Sequence, residues 1–390
     1  MGRIIGKRKK KSDISGDADV AGMYNQYSVF RYKKFIAMLG LLILLIVAAL
    51  YGMTVGSYPI SFQEVYQVIV DHLFDLGSPL ETTDQRVVWE QRMPRLLTAV
   101  VTGAGLAAAG AAMQSMMKNP LADPYTTGIS SGASFGAVVA ITLGISIGSP
   151  QNATVLFAFI FSLVPATVIV LLSTFKKATA AMMILAGISV MYIFNAMTQY
   201  MMIVSDSETT AAAFEWTVGT LNKSSWTSLP VMSAVVIAGS VILMFLSRYL
   251  NAMNSGDNYA KTVGVNVERM RVAILIVISI VSASVVSFTG IIGFVGLVAP
   301  HITRIFLGSD NRYLIPGSIL MGATILVLCD ILAKSFTTTA LPIGVVTAFV
   351  GGPIFLFLIV RQKKEVWRWK SDSRISVSHT ALSQYSKTST

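Results

Sequence analysis

The residues best placed to do chemistry are two charged side chains inside an apolar stretch. Asp330 lies within LVLCDILAKSF, four residues before Lys334. An ionisable side chain in such a stretch is a functional candidate, because charge is costly to hold in hydrocarbon. A spacing of four places both residues on one helix face, where an ion pair can form. We favour a pair that positions Lys334 over a proton relay at Asp330.

Two further cations flank the start of another apolar stretch. Arg92 and Arg95 lie in QRMPR, close to the acidic residues Asp84 and Glu90. Together with Lys334 they could anchor helix ends at lipid head groups, since long basic side chains reach toward the membrane surface. They could equally form a docking site for acidic residues of an external partner. The residue types alone leave both interpretations open.

No group of residues has the spacing of a catalytic or metal centre. His301, after Pro300 in GLVAPHITR, is expected to cap or hydrogen-bond rather than titrate. Cys329 is the single cysteine, so an internal disulfide is impossible. The chain contains no GxxxxGK[ST] loop, so it does not bind and hydrolyse ATP in the usual way. We therefore predict no catalytic residue, no metal site and no cofactor bound by this chain.

Polar side chains also interrupt two apolar helices. Asn195 and Gln199 are four residues apart and share a helix face in VMYIFNAMTQYMMIV. That face could pack against another helix or line a substrate path, and the residues alone favour packing. Gln114, near the end of its helix, could hydrogen-bond across helices or face a cavity.

Composition indicates the surroundings in which these residues act. The 390 residues are 54% hydrophobic and 13% charged, whereas about a quarter of a soluble domain is charged. Lipid is therefore the main solvent, and the predicted fold class is all-α, a polytopic membrane protein. Apolar runs long enough to cross about 30 Å of hydrocarbon predict ten helices, at 35–55, 95–117, 127–147, 153–174, 180–204, 228–249, 271–289, 292–307, 314–334 and 342–361.

Basic residues predict how the chain is oriented. Lys and Arg concentrate in the tails and in alternate connectors, so the positive-inside rule places both termini in the cytoplasm. The chain then divides into a basic tail (1–34), a ten-helix domain (35–361) and a C-terminal tail (362–390) that we expect to be disordered. The net charge of +11 lies largely in the tails, which indicates contact with anionic lipid and not with nucleic acid.

Small residues and turn residues predict how the helices pack. The stretch 95–117 carries Gly103 and Gly110 in small-xxx-small patterns, which let helix backbones approach closely, so this helix should be surrounded by protein. In the turn NPLADPYTTGISSGAS, Pro120 ends one helix and Pro124 allows a restart, while Gly128 and Gly132 allow close packing of the next helix. The polar connector 250–271 is suited to docking a soluble partner.

These stretches resemble the permease subunits of ABC importers for iron siderophores, haem and vitamin B12. The resemblance runs from about residue 50 to 361, and its motifs occur in the family's order. The residues that carry it include Pro94, Gly110, Gln114, Pro120, Pro124, Gly128, Gly132, Pro300, His301, Asp330 and Pro342, within RMPR, GAGLAAAGAAMQSMMKNPLADPYTTGISSGASFGA, SGDNYAKTVGVNV, GFVGLVAPHITR, DILAK and LPIGVVTAFVGGPIF.

The resemblance implies a type II importer assembled from several chains. Two permeases, identical or homologous, would pack together with two cytoplasmic ATPase subunits that use ATP and Mg²⁺. An extracytoplasmic binding lipoprotein would deliver the substrate. Its acidic residues would meet Arg92, Arg95 and Lys334, and the connector would couple to the ATPase through Gly256, Ala260 and Gly264.

The resemblance also implies a path and a cargo. Asn119 and Leu121 would narrow the inner mouth, and the fifth helix, with Asn195 and Gln199, would border the path. A ferric siderophore is the expected cargo and haem or vitamin B12 the alternative, in a prokaryotic cytoplasmic membrane. Ala340 departs from the family, many of whose members carry Glu there. The rivals are an ion-coupled transporter using Asp330 and a structural or sensory membrane protein.

Overall fold

The architecture comes from a computed structural model that describes residues 9–74, 82–175, 180–336 and 340–361. These residues form helices and connecting segments, with one isolated β-bridge between Ile147 and Ser149. A π-helix spans Val87–Arg92 and a 3₁₀-helix spans Pro124–Thr127. In chain order the α-helices are α1 (Lys9–Thr54), α2 (Phe62–Leu73), α3 (Thr83–Arg86), α4 (Met93–Met117), α5 (Ile129–Thr142), α6 (Pro150–Phe175), α7 (Ala180–Val204), α8 (Ser207–Thr217), α9 (Leu229–Phe245), α10 (Ser247–Asn254), α11 (Asp257–Thr262), α12 (Val267–Thr289), α13 (Val295–Leu307), α14 (Asn311–Ser335) and α15 (Ile343–Arg361).

Each of the ten predicted apolar segments is helical, which confirms the all-α, polytopic fold class. Six described helices are long and apolar enough to cross a membrane, and α9 with α10, bent by 55°, makes a seventh candidate. The apolar helices α5, α13 and α15 are shorter. At 1.5 Å per residue, the 13 residues of α13 extend only about 20 Å. The number of ten membrane crossings therefore stays a prediction.

The helix α4 lies at the centre of the bundle, as its small residues predicted. Its most apolar window is 78% buried within this one chain. A Cβ added at Gly103 would lie 2.3 Å from the carbonyl oxygen of Gly322 on α14, and one at Gly110 only 1.9 Å from that of Gly296 on α13. The two glycines thus let the backbone of α4 contact the backbones of α14 and α13. Close van der Waals packing of this kind stabilises helix contacts in lipid, where the hydrophobic effect does not drive helices together.

The apolar run 272–303 breaks into two helices, as expected from its glycines. Gly290 follows the last residue of α12 with a φ of +70°, and Phe294 precedes the first residue of α13 with a φ of +68°. Both φ values are positive, and residues other than glycine rarely adopt a positive φ. The five residues between the helices therefore turn the chain sharply, while Pro300 lies inside α13 and not at its end.

The helix limits differ from the expected ones near the ends. The first helix is continuous from Lys9, so residues 9–34 of the predicted tail extend α1, although its candidate span begins only at Arg31. The predicted helix 127–147 ends at Thr142, shortly before Gly144 at a φ of +60°. The C-terminal tail 362–390 lies outside the described residues.

Side-chain caps explain where several helices begin. Ser61 and Glu64 form a reciprocal capping box at α2, and Asn266, Asp206 and Asp310 cap α12, α8 and α14. Each cap satisfies a backbone N–H that the first helical turn leaves without a partner. These short polar residues therefore set the ends of the helices that carry the sites described below.

Candidate functional site

The first cluster of functional candidates surrounds Asp330 near the end of α14. Its two carboxylate oxygens meet different cations: Arg95 Nε lies 2.7 Å from Oδ1 and Lys334 Nζ lies 2.6 Å from Oδ2. The side chains of Asp330 and Lys334 are 2% and 7% exposed. The predicted ion pair is confirmed, and Arg95 from α4 adds a partner that the spacing alone did not indicate.

The guanidinium of Arg92 is engaged by backbone carbonyl groups of this chain. Its side chain is buried, and Nη1 donates a hydrogen bond of 2.7 Å to the carbonyl oxygen of Met53. Nη2 donates to the carbonyl oxygen of Tyr58. The guanidinium therefore holds the segment that follows α1, because it satisfies one carbonyl group in the last turn of α1 and one in that segment. Direct contact between Arg92 and a partner is not supported by this geometry.

A cleft of about 500 Å³ opens between these elements. Arg95 also reaches across it, donating from Nη1 to Oδ1 of Asn222 in the segment between α8 and α9. Ala340 lies in the wall of the cleft. We call this cleft the cationic pocket; the charged and polar side chains that line it are Ser57, Tyr58, Glu90, Gln91, Arg92, Arg95, Asn222, Ser224 and Lys334.

An aromatic cluster beside the cationic pocket was missed by the sequence analysis. The ring of Trp89, on the π-helix, lies 3.7 Å from that of His72 and 5.0 Å from that of Trp226. The indole N–H of Trp226 donates 2.8 Å to the carbonyl oxygen of Trp89. These three residues are far apart in the chain, so no local pattern could reveal them. The ring contacts and this hydrogen bond join α2, the π-helix and the segment before α9, and the last two of these carry residues that line the pocket.

The opposite end of α4 carries the second group of candidates. Asn119 accepts a hydrogen bond of 3.0 Å from the Leu121 N–H, so its side chain stabilises its own turn. Leu121 is 48% exposed, so of the two predicted gate residues it is the one whose side chain lies on the surface of this chain. Asp123 then caps the 3₁₀-helix that Pro124 begins, and Gly128 ends it at a φ of +86°. The gating role of Asn119 and Leu121 stays a prediction.

Gln114 joins this end of α4 to α13. Its Nε2 donates 3.2 Å to the carbonyl oxygen of Leu297, and its Oε1 accepts 3.0 Å from Arg304. Of the two interpretations that the residue types left open, hydrogen bonding across helices is confirmed. His301, on the same helix, is buried and meets the ring of Phe355 edge-on at 6.1 Å.

The connector forms α10 and α11 with sharp turns at both ends of α11. Gly256 and Gly264 have φ values of +124° and +84°, so glycine is required there by the backbone and not by close packing within the chain. Ala260 is fully buried within the single chain, and ATPase coupling through Gly256, Ala260 and Gly264 stays a prediction. The large hydrophobic side chains that α11 and the turn after it expose are Tyr259 and Val263, at 54% and 53%.

A polar network fixes α10 against α14 and α4. Asn251 donates 2.7 Å to Asp310 and accepts from the backbone N–H of Asn311 at 2.8 Å, while Ser115 donates 2.7 Å to the side-chain oxygen of Asn311. Burial opposes ionisation of Asp310, but hydrogen bonds from Arg312 and Asn251 outweigh it and lower its pKa to about 2. The carboxylate is therefore charged at neutral pH.

The predicted polar face of α7 is exposed in the single chain. Asn195 and Gln199 lie on the surface beside Tyr192 and Tyr200, which are 68% and 66% exposed. Amide side chains without a partner are costly against lipid, so this face is expected to meet protein or water.

The family model described as the FecCD transport family matches residues 42–361. The chain belongs to the FecCD transport family. This FecCD permease is 38% identical to an ABC transporter permease protein of Methanocaldococcus jannaschii, over 87% of this chain and 99% of that protein. It is 34% identical to the hemin transport system permease protein HmuU of Yersinia pestis, over 84% of this chain and 96% of that protein.

A solved structure agrees with the fold of the FecCD permease. That structure, described as an inward-facing conformation of a metal-chelate type ABC transporter, is matched with a TM-score of 0.73 at 30% identity. The match covers 83% of this chain and 99% of that chain. Further relatives are named as import permeases for vitamin B12, molybdate and Fe(3+)-citrate. The chain is therefore a multi-pass ABC transporter permease.

Proposed function

We propose that this FecCD permease imports an iron complex, with a ferric siderophore as cargo. The observation that carries this proposal is the chemistry named for its relatives, which include hemin and Fe(3+)-citrate permeases. The similar solved transporter is also described as of metal-chelate type. Haem or vitamin B12 is the alternative cargo, supported by the hemin and vitamin B12 relatives.

The proposed assembly contains two permeases, two ATPase subunits and an extracytoplasmic binding lipoprotein. ATP and Mg²⁺ act on the ATPase subunits, and this chain performs no catalysis. The exposed amides Asn195 and Gln199 support a paired arrangement, because a second permease and an aqueous path would cover them. Both termini and the connector then lie in the cytoplasm of a prokaryotic cell, and the cationic pocket faces outward.

The cationic pocket is the proposed docking point for the binding protein. Its cations are nearly enclosed, since the Arg95 side chain is 12% and the Lys334 side chain 7% exposed. Only a protruding acidic side chain can reach them, and a desolvated charge pair of this kind contributes strongly to affinity. We assign docking to Arg95 and Lys334, while Arg92 supports the wall of the pocket.

Uptake into proteoliposomes tests the proposed function. We expect ATP-dependent uptake of radiolabelled ferric citrate, or of hemin or cobalamin if the alternative holds, when all subunits and the binding protein are present. An uncoupler should leave this uptake unchanged. Uptake that persists without the ATPase and collapses with an uncoupler would instead support the ion-coupled transporter that uses Asp330.

The same assay tests the docking and path residues. The variant Arg95→Gln should need about thirtyfold more binding protein for half-maximal uptake. The reason is that losing one partner of a desolvated charge pair costs about 2 kcal/mol or more of binding free energy. Arg86→Gln is the matched control, because Arg86 is exposed nearby but does not line the pocket. Equal behaviour of both arginine variants contradicts docking in the pocket.

The double variant Asn195→Leu with Gln199→Leu should lower uptake even at a saturating concentration of binding protein.

The exposed side chains of the connector are the proposed contact with the ATPase. Tyr259→Ala with Val263→Ala should weaken association of the ATPase subunits by about 2 kcal/mol, the usual effect of removing a central aromatic contact. Co-purification from detergent at increasing dilution measures this loss. Tyr66→Ala is the control, because Tyr66 is 61% exposed on α2 and far from the connector. Unchanged co-purification would place the ATPase contact elsewhere.

A further inference from the structure

The end of α4 adopts a backbone conformation that lysine rarely takes. Lys118 follows the last residue of α4 with a φ of +52° and a ψ of +32°, in the left-handed region. Among the described residues, only Lys118 and Phe294 have a positive φ without being glycine. Helices commonly end on such a residue, but it is usually glycine, which has no side chain to crowd the backbone. The lysine side chain must therefore serve a purpose other than ending the helix.

The ammonium group of Lys118 contacts the connector. Its Nζ lies 2.6 Å from Oδ1 of Asp257, the first residue of α11. On the other side, Nη2 of Arg271 on α12 lies 3.1 Å from Oδ2 of the same carboxylate. Asp257 thus bridges the end of α4 and the first turns of α12. Among polar contacts of the described residues, the Lys118–Asp257 ion pair is the one that joins α11 to α4.

The carboxylate at the centre of this bridge keeps its charge. Burial acts to raise the pKa of Asp257, but hydrogen bonds from Lys118 and Arg271 outweigh it and hold the pKa below its usual range. A surface ion pair ordinarily contributes little. The Lys118 and Asp257 side chains are 34% and 41% exposed, but Asp257 is also held by Arg271, whose side chain is only 8% exposed.

The position of the bridge connects two features of the proposed mechanism. Asp257 is two residues from Tyr259, which the connector exposes, and Lys118 directly precedes the turn that carries Asn119 and Leu121. A displacement of α11 would therefore reach this turn directly through the ion pair, beside the polar network that joins α10 to α4 through Asn311. Extended networks of packed and charged groups are the physical means by which such displacements travel.

We propose that the Lys118–Asp257 ion pair is the link that transmits ATPase movement at the connector to the turn carrying Leu121. The inference rests on the proposed function as an ABC importer permease. Lys118 and Asp257 are positioning residues, since neither has to touch cargo or nucleotide. Nucleotide binding on the ATPase moves α11, and the ion pair carries the end of α4 with it.

The thiol reactivity of a cysteine in the turn provides the test. The native Cys329 is buried and is replaced by serine, and Leu121→Cys introduces a single exposed thiol. The complete complex with its ATPase subunits is placed in proteoliposomes. The rate of labelling by a water-soluble maleimide is then measured without nucleotide and with ATP plus vanadate. This measurement needs no cargo.

Variants at position 118 separate transmission from structure. Lys118→Gly and Lys118→Met should reduce the nucleotide-dependent change in labelling rate about fivefold or more, at the lower end of coupling between sites, while ATP hydrolysis continues. Lys118→Arg keeps a cation and should keep the response. Lys118→Gly should also melt no lower than the parent, because glycine suits the left-handed position.

An equivalent ion pair in the same region provides the control. Lys261 and Glu268 lie 2.9 Å apart and are both well exposed, and this pair does not reach α4. Glu268→Gln should leave the nucleotide response unchanged. A full response in Lys118→Gly, or an equal loss in Glu268→Gln, overturns the link. Absence of any nucleotide response and of ATPase association in the parent protein overturns the proposed function itself, and the inference with it.

Discussion

Replacing Gly110 by alanine is expected to prevent stable packing of the permease. The added Cβ would lie 1.9 Å from the carbonyl oxygen, 2.7 Å from the carbonyl carbon and 2.9 Å from the Cα of Gly296. All three atoms belong to backbone, so no side-chain rotation can relieve the overlap. Overpacking of a well-packed core typically costs up to about 3 kcal/mol, and we expect at least this loss because α4 and α13 must separate.

The matched control for this change lies in α1. A Cβ added at Gly40 meets no atom within 4 Å, so Gly40→Ala is expected to be neutral or to stabilise by up to about 1 kcal/mol through helix propensity. Thermal unfolding of the purified proteins in detergent measures both effects. If Gly110→Ala melted with the parent protein, the close contact between α4 and α13 would be wrong. Gly103→Ala, opposed by Gly322 in the same way, is an independent second test.

The packing around Gly110 was predictable from the sequence because it depends on a local pattern. Small residues repeated every four positions define a helix face, and a run of apolar residues defines a helix by its length alone. These rules located ten apolar helical segments, of which six described helices are long enough to span a membrane. The same rules did not locate the helix ends and bends, because single residues determine where a helix ends or bends. The bend between α9 and α10, for example, lies inside what was predicted as one helix, 228–249.

The contacts at the candidate sites also differ in how far apart their residues lie in the chain, and only the local ones were predictable. The pair between Asp330 and Lys334 followed from a spacing of four residues. The contact of Arg95 with Asp330 joins positions 235 residues apart, and that of Lys118 with Asp257 joins two connectors. Nothing in a single sequence states which distant elements meet. The burial of Arg92 was unpredictable for the same reason, since its partners are backbone carbonyl groups of a distant segment, Met53 and Tyr58.

Replacing Asp330 by asparagine is expected to destabilise the permease strongly. The change removes the negative charge that Arg95 and Lys334 share at 2.7 and 2.6 Å. Two cations would then face each other in a nearly enclosed site. Breaking a buried ion pair by removing one partner typically costs about 3 to 5 kcal/mol, because the remaining charge has no compensation. The free energy of unfolding should fall by that amount.

A combined variant tests whether the loss arises from uncompensated charge. Asp330→Asn with Lys334→Met removes one cation together with the carboxylate, so the double variant should be more stable than Asp330→Asn alone. Such non-additivity is the expected mark of groups in direct contact. Denaturation of the parent, the two single variants and the double variant in the same detergent measures it.

The double variant also separates the two roles considered for Asp330. If Asp330 serves as a structural counter-ion, restored stability should bring back the ATP dependence of uptake, although with weaker binding-protein docking because Lys334 is lost. If Asp330 carries a transported proton, the double variant should be inactive at every binding-protein concentration however stable it is. Both oxygens of Asp330 are already engaged by cations, which favours the first outcome.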